Sequence, residues 1–210
     1  MYAEELSGIW VLKIHDIHRE ADWFFRSTNL LVESIHKLLL GHGVAIRREP
    51  RSLGFNTYSY TLAGDLAQCL RYARAEADMT ADYVKDTVDA FATVFATRVF
   101  DLATSDERLI PGELPVPEFD WKSVEERTLT QILWAAQGRM HLEREQPIPN
   151  YMAAALTGWS IQRLSRFKDG DVKMTTRKID NVTHYNPQTL DLIVRDIEEL
   201  FFSYDTYNPL

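Results

Sequence analysis

Cysteine is nearly absent: Cys69 is the only one among 210 residues. No disulfide can close within the chain, and no zinc site built on a cysteine pair is possible. A reducing compartment, the cytoplasm, is the expected location. No run of about 18 apolar residues occurs, the length that a spanning helix requires. The start, MYAEELSG, is acidic and carries no basic stretch leading into an apolar one, so neither secretion nor membrane insertion is expected. The chain also lacks a Gly-rich phosphate loop, a GxSxG elbow, an HExxH frame and a Cys-His nucleophile pattern. Nothing in it points to catalysis, and no cofactor is expected. Internal repeats and low-complexity tracts are missing too.

A surplus of positive charge is also lacking. The formal charge is −8, which argues against a protein that coats nucleic acid through bulk electrostatics. The charge is unevenly distributed, however. Residues 150–180 hold Arg163, Arg166, Lys168, Lys173, Arg177 and Lys178 against Asp169, Asp171 and Asp180, a local balance of +3 that leaves −11 on the remainder. Such asymmetry marks a segment set apart from the rest of the surface.

What is present is ordinary globular material, 45% hydrophobic and 26% charged, too apolar for a disordered chain. The fold class expected is mainly α. Trp23, Phe24, Leu30, Leu31, Ile35, Leu38 and Leu39 recur at three and four, which predicts a helix over 19–40. Tyr58, Tyr60 and Leu62 alternate, which predicts the second strand of a small hairpin within 44–62. Helices are predicted over 64–78 and 80–103, the second capped by Thr80 and burying Tyr83, Val84, Val88, Phe91, Phe95 and Val99. PGELPVPEFD, residues 111–120, holds three prolines and favours an extended connector. This divides the chain into a helical region 1–110, a linker 111–120 and a C-terminal region 121–210. Helices are predicted there over 121–141, 150–156, 160–168 and 187–202.

Three groups of residues invite chemistry but read more simply as structure. Cys69 lies on the stripe Leu66, Cys69, Leu70, Ala73 and reads as a buried thiol. Trp10, Trp23, Phe24 and Phe25 read as core rather than as a ligand pocket. His15 and His18, in HDIH, have a spacing that could present two imidazoles to a metal, but no recognisable ligand frame accompanies them. They read as partly exposed histidines.

The most informative stretch is NYMAAALTGWSIQRLSRFKDG, residues 150–170. A helix-turn-helix corner needs a small residue where its helices cross and a residue free to take positive φ in the turn. Ala154 and Gly158 meet those needs. Leu164 and Phe167 fall on the inner side of the second helix, and Ser160 is placed to cap it. On these residues the C-terminal part, over 60–80 residues, resembles the lambda-repressor-like (Cro/repressor, XRE-type) helix-turn-helix proteins of bacteria and phages.

That resemblance implies a helix-turn-helix domain whose second helix enters the major groove, with Ser160, Ile161, Gln162, Ser165 and Arg166 toward the bases and Arg163, Lys168 and Lys173 toward phosphates. The chemistry suits those roles: Gln pairs with adenine, Arg with guanine, and an exposed Ile meets a thymine methyl. The implied protein is a cytoplasmic transcriptional regulator binding double-stranded DNA as a homodimer, with the acidic N-terminal region dimerising or holding another protein. The competing reading is a non-enzymatic acidic interaction protein, a phage-type inhibitor or adaptor, whose helical corner is purely structural.

Overall fold

A computed structural model describes residues 5–24, 26, 59–76, 80–82, 84–85 and 127–207. Of these, 66% are helical, and the strands form only small antiparallel sheets. A 3₁₀ turn, Gly8–Val11, precedes helix α1 (14–24). Helices α2 (Ser59–Ala73) and α3 (Thr128–Glu143) follow. Strand β1 (Ile148–Pro149) leads into α4 (Asn150–Thr157) and α5 (Ile161–Ser165). Four short strands come next, β2 (Lys168–Asp169), β3 (Val172–Lys173), β4 (Thr176–Ile179) and β5 (Val182–Tyr185), and α6 (Pro187–Tyr207) ends the described chain.

Helix α3 is the hub. Leu129, Ile132, Leu133, Ala135, Ala136, Met140 and Leu142 are all buried, so apolar groups surround it instead of forming one stripe, as a central helix requires. It packs mainly against α2 and α4. A Cβ on Gly138 would lie 3.1 Å from the Met152 carbonyl oxygen, so α3 and α4 meet backbone to backbone there. Among the described residues, the buried charges are partnered. Arg139 donates to the Ala73 carbonyl at 2.9 Å and pairs with Glu198. Arg127 forms a two-pronged pair with Glu20, at 2.9 and 3.0 Å, beneath the face of Trp23.

The described segments on both sides of 111–120 share one hydrophobic cluster. Ile9, Trp10, Ile17, Leu66 and Leu70 belong to it together with Leu133, Leu156 and Ile193. The connector itself lies outside the described residues, as does most of the helix expected over 19–40. The second strand expected at 58–62 is corrected: Ser59–Ala73 is one helix. Leu62, Leu66, Leu70 and Ala73 continue the helical period through the stretch, and it outweighs a two-step alternation seen over only five residues. Tyr58 and residues 44–57 are outside the described residues. The helix beginning expected at Gly64 is therefore earlier, and its end is at Ala73. Residues 81, 82, 84 and 85 are helical with Val84 buried, while 86–103 are not described.

In the C-terminal part, helix boundaries shift modestly. The expected 160–168 helix is shorter, Ile161–Ser165, because the backbone leaves it at Arg166 and Lys168 enters a strand. The two hairpins between Lys168 and Tyr185 were not expected. Asp180 and Asn181 both take positive φ, 49° and 64°, the requirement of a two-residue turn matched to strand twist. β5 pairs with β4 on one side and β1 on the other, in the order β1-β5-β4, while β2 and β3 form a separate ribbon. Asn186 accepts from the Thr189 N–H at 3.1 Å and caps α6 ahead of Pro187, where a missing N–H costs nothing.

Candidate nucleic-acid interface

The corner between α4 and α5 is built by a few local interactions. Gly158 ends α4 at φ 70° and ψ 5°, and its N–H donates to the Ala154 carbonyl at 2.9 Å. Only a residue without Cβ hindrance takes that conformation freely. Thr157 is buried, and its hydroxyl donates to the Ala153 carbonyl at 2.8 Å while accepting the Trp159 N–H at 3.2 Å. Trp159 is buried against Phe167. Leu164 is fully buried on the inward face of α5 expected of it, and Phe167, expected on the same face, is buried just beyond the end of that helix.

A clamp from a distant part of the chain holds this corner. The Ser7 hydroxyl donates to the Gly158 carbonyl at 2.9 Å, and the Trp10 indole N–H donates to the Leu156 carbonyl at 2.8 Å. Carbonyls at a helix C-terminus lack intrahelical partners, so the N-terminal turn satisfies groups that the corner leaves open. Arg74 locks that turn in place, donating to the carbonyls of Ile9 and Leu12. Sequence reading missed the clamp, since a separation of 151 residues between Ser7 and Gly158 leaves no local signal.

The eight residues expected to contact DNA do not all project alike. Ser160 accepts the Arg163 N–H at 3.2 Å, the helix cap anticipated from sequence, so its oxygen is already engaged. The Arg163 guanidinium lies over the Trp159 ring, 3.8 Å from the centroid. Ser165 is hydrogen-bonded to the Tyr185 hydroxyl at 2.9 Å, and that hydroxyl donates to the Ile161 carbonyl at 3.2 Å. Ile161 remains 41% exposed, large for an aliphatic side chain.

Gln162, Arg163, Arg166 and Lys168, with Ser160, line one shallow cleft of about 550 Å³ floored by Trp159 and Phe167. Arg166, the C-cap of α5, still donates its N–H to the Gln162 carbonyl at 3.2 Å, so the last turn closes on it and sets the two side chains one above the other. Lys173 joins through the β2–β3 ribbon, where it is the register partner of Lys168. Like charges directly opposite on a ribbon repel.

Most of the described arginines outside this surface are ion-paired; Arg144 and Arg177, like Lys13, have no carboxylate within salt-bridge distance among the described residues. Arg19, Arg26, Arg71, Arg74, Arg127, Arg139 and Arg195 each form a salt bridge. Among the described residues, no carboxylate lies within salt-bridge distance of the exposed side chains of Arg166, Lys168, Lys173 or Lys178.

Other sequence candidates fall where they read as structure. Cys69 is fully buried, and burial, with Asp65 adding to it, pushes its thiol pKa up to about 12. Trp10 and Phe24 are in the core. His15 is on the exposed side of α1, 3.4 Å from Asp16. Among the described residues no group of His, Cys, Asp or Glu is arranged to hold a metal ion, and no helix is long and apolar enough to cross a membrane. No protein-family model, curated protein or solved structure matches the chain.

Proposed function

We propose that the chain is a sequence-specific DNA-binding regulator of bacterial or phage type, in which α4, the Gly158 turn and α5 act as a helix-turn-helix. Gln162 and Arg166 meet base edges, with Ile161 beside them, and Lys168 and Lys173 meet phosphates. The observation that carries the reading is the set of exposed cations without carboxylate partners around α5, in a chain of formal charge −8 whose other arginines are largely ion-paired. Acidic residues were available to neutralise them. A polyanion would supply the missing charge and release counterions on binding.

In this reading the serines and the exposed side chains have different roles. Ser160 caps α5, and Ser165 ties it to β5, so both position the helix. One short helix spans few base pairs, so a homodimer on a two-fold site is the expected form. Selection from a random duplex library by the full chain tests the proposal. Enrichment of one motif at moderate salt, with two-fold symmetry, is expected. No enrichment even at low salt would overturn it.

A further inference from the structure

We infer that the β4–β5 hairpin is a second DNA-contacting arm, with Lys178 holding a phosphate. The inference rests on the DNA-binding reading above and extends the contact surface to a strand that reading does not use.

The register fixes which side of the hairpin faces α5. Thr176 pairs with Tyr185 and Lys178 with Thr183, while Arg177 pairs with His184 and Ile179 with Val182. Side chains alternate across a ribbon, so Thr176, Lys178, Thr183 and Tyr185 share one face. Tyr185 marks that face as the one toward α5, because its hydroxyl is bonded to both Ser165 and Ile161 of that helix. Lys178 lies two residues farther along, about 7 Å at ~3.4 Å per residue. The ribbon runs outward along this path, from fully buried Tyr185 to exposed Lys178. The lysine thus lies exposed on the side of the ribbon that Tyr185 turns toward α5, and it too has no salt-bridge partner among the described residues.

Arg177 points the other way. That placement follows from the alternation along β4; Arg177 also borders a cavity of about 360 Å³ at the base of the hairpin, lined by Glu145, Thr176, His184, Tyr185 and Gln188. Positive charge on β4 has another use, since basic side chains on an edge strand discourage pairing with other sheets. That use, and any effect of bulk charge, would engage Arg177 and Lys178 alike. A phosphate contact engages Lys178 alone.

The test is the salt dependence of binding by the full chain to a random-sequence duplex of about two helical turns, ~20 bp, read by fluorescence anisotropy. In Lys178→Ala the slope of log K against log salt becomes shallower by about 0.9 for each protomer bound, ~1.8 for a dimer, and Lys178→Gln behaves the same while keeping the stem. Lys178→Arg retains the full slope, and Arg177→Ala leaves it unchanged. Equal losses in Lys178→Ala and Arg177→Ala, or no loss in either lysine-neutralising variant while the parent chain binds, would overturn the arm. Failure of the parent chain to bind at low salt would overturn the DNA-binding reading itself, and the arm with it. Melting curves of each variant separate these outcomes from misfolding.

Discussion

Ser7 and Gly158 are packed face to face across 151 positions of sequence: a Cβ built on Gly158 would lie 2.6 Å from the Ser7 carbonyl oxygen, while the Ser7 hydroxyl donates to the Gly158 carbonyl. The turn that orients α5 is thus closed by a residue of the N-terminal segment. Two independent requirements fall on Gly158, positive φ and space, and a β-branched residue violates both.

Gly158→Val should therefore destabilise the chain by more than the ~1–3 kcal/mol of a strained backbone position alone, because the Ser7 collision adds to it. Ser7→Ala removes one hydrogen bond without adding bulk and should cost about 0.5–1.5 kcal/mol. Urea unfolding curves of both variants check the order. A Gly158→Val chain as stable as its parent would mean that the turn is not clamped.

Much of this corner was legible because its signals are local. Gly158, Ser160 and Leu164 each announce a role through spacing within ten residues and each fills it, while Phe167 is buried as expected but beyond the end of α5 rather than on its inner face. The strand expected at 58–62 gives way to helix because three alternating residues also fit the start of the longer Leu62, Leu66, Leu70 helical period. The β4–β5 hairpin had a readable turn in Asp180 and Asn181, but its strands are only four residues long, too short for alternation to stand out. The bonds of Tyr185 to α5 and of Ser7 to Gly158 come from tertiary packing. No local pattern encodes them.

Cys69 should resist modification in the native state. Its side chain is fully buried and its thiol is pushed up to about 12, so both access and thiolate are withheld at neutral pH. An aromatic disulfide reagent should show negligible reaction at pH 8 in native buffer and one equivalent in urea. Rapid reaction of the native chain would contradict the buried placement.

His141 should make the fold sensitive to mild acid. It is half-buried, with Nδ1 3.1 Å from the Pro147 carbonyl. Burial lowers its pKa, with nearby His184 and Arg144 acting the same way, while the bond to Pro147 opposes them. The folded state then binds the proton less readily than the unfolded state, so stability rises with pH across this window. The contribution is complete above the unfolded value near ~6.5 and is lost as pH falls through the folded one. His141→Gln should flatten the stability difference between pH 7 and pH 5, measured by urea midpoints. An unchanged difference would show that His141 has the same proton affinity in both states.

Lys173→Ala should weaken binding to all duplexes alike and make the salt dependence shallower by about 0.9 for each protomer bound, since a phosphate contact releases a counterion without reading a base. Its ratio of affinities for selected and scrambled duplexes should stay that of the parent. A changed ratio would place Lys173 at a base edge instead.

The most direct measurement takes the duplex selected by the full chain and compares its affinity with that of a scrambled duplex, for the parent, Gln162→Ala and Arg166→Ala. The expected result is that Arg166→Ala loses about 1–3 kcal/mol on the selected duplex alone, Gln162→Ala loses selectivity at a different position, and both melt like the parent. Undiminished selectivity in both variants would contradict the central claim, because the exposed side of α5 would then not be what reads DNA.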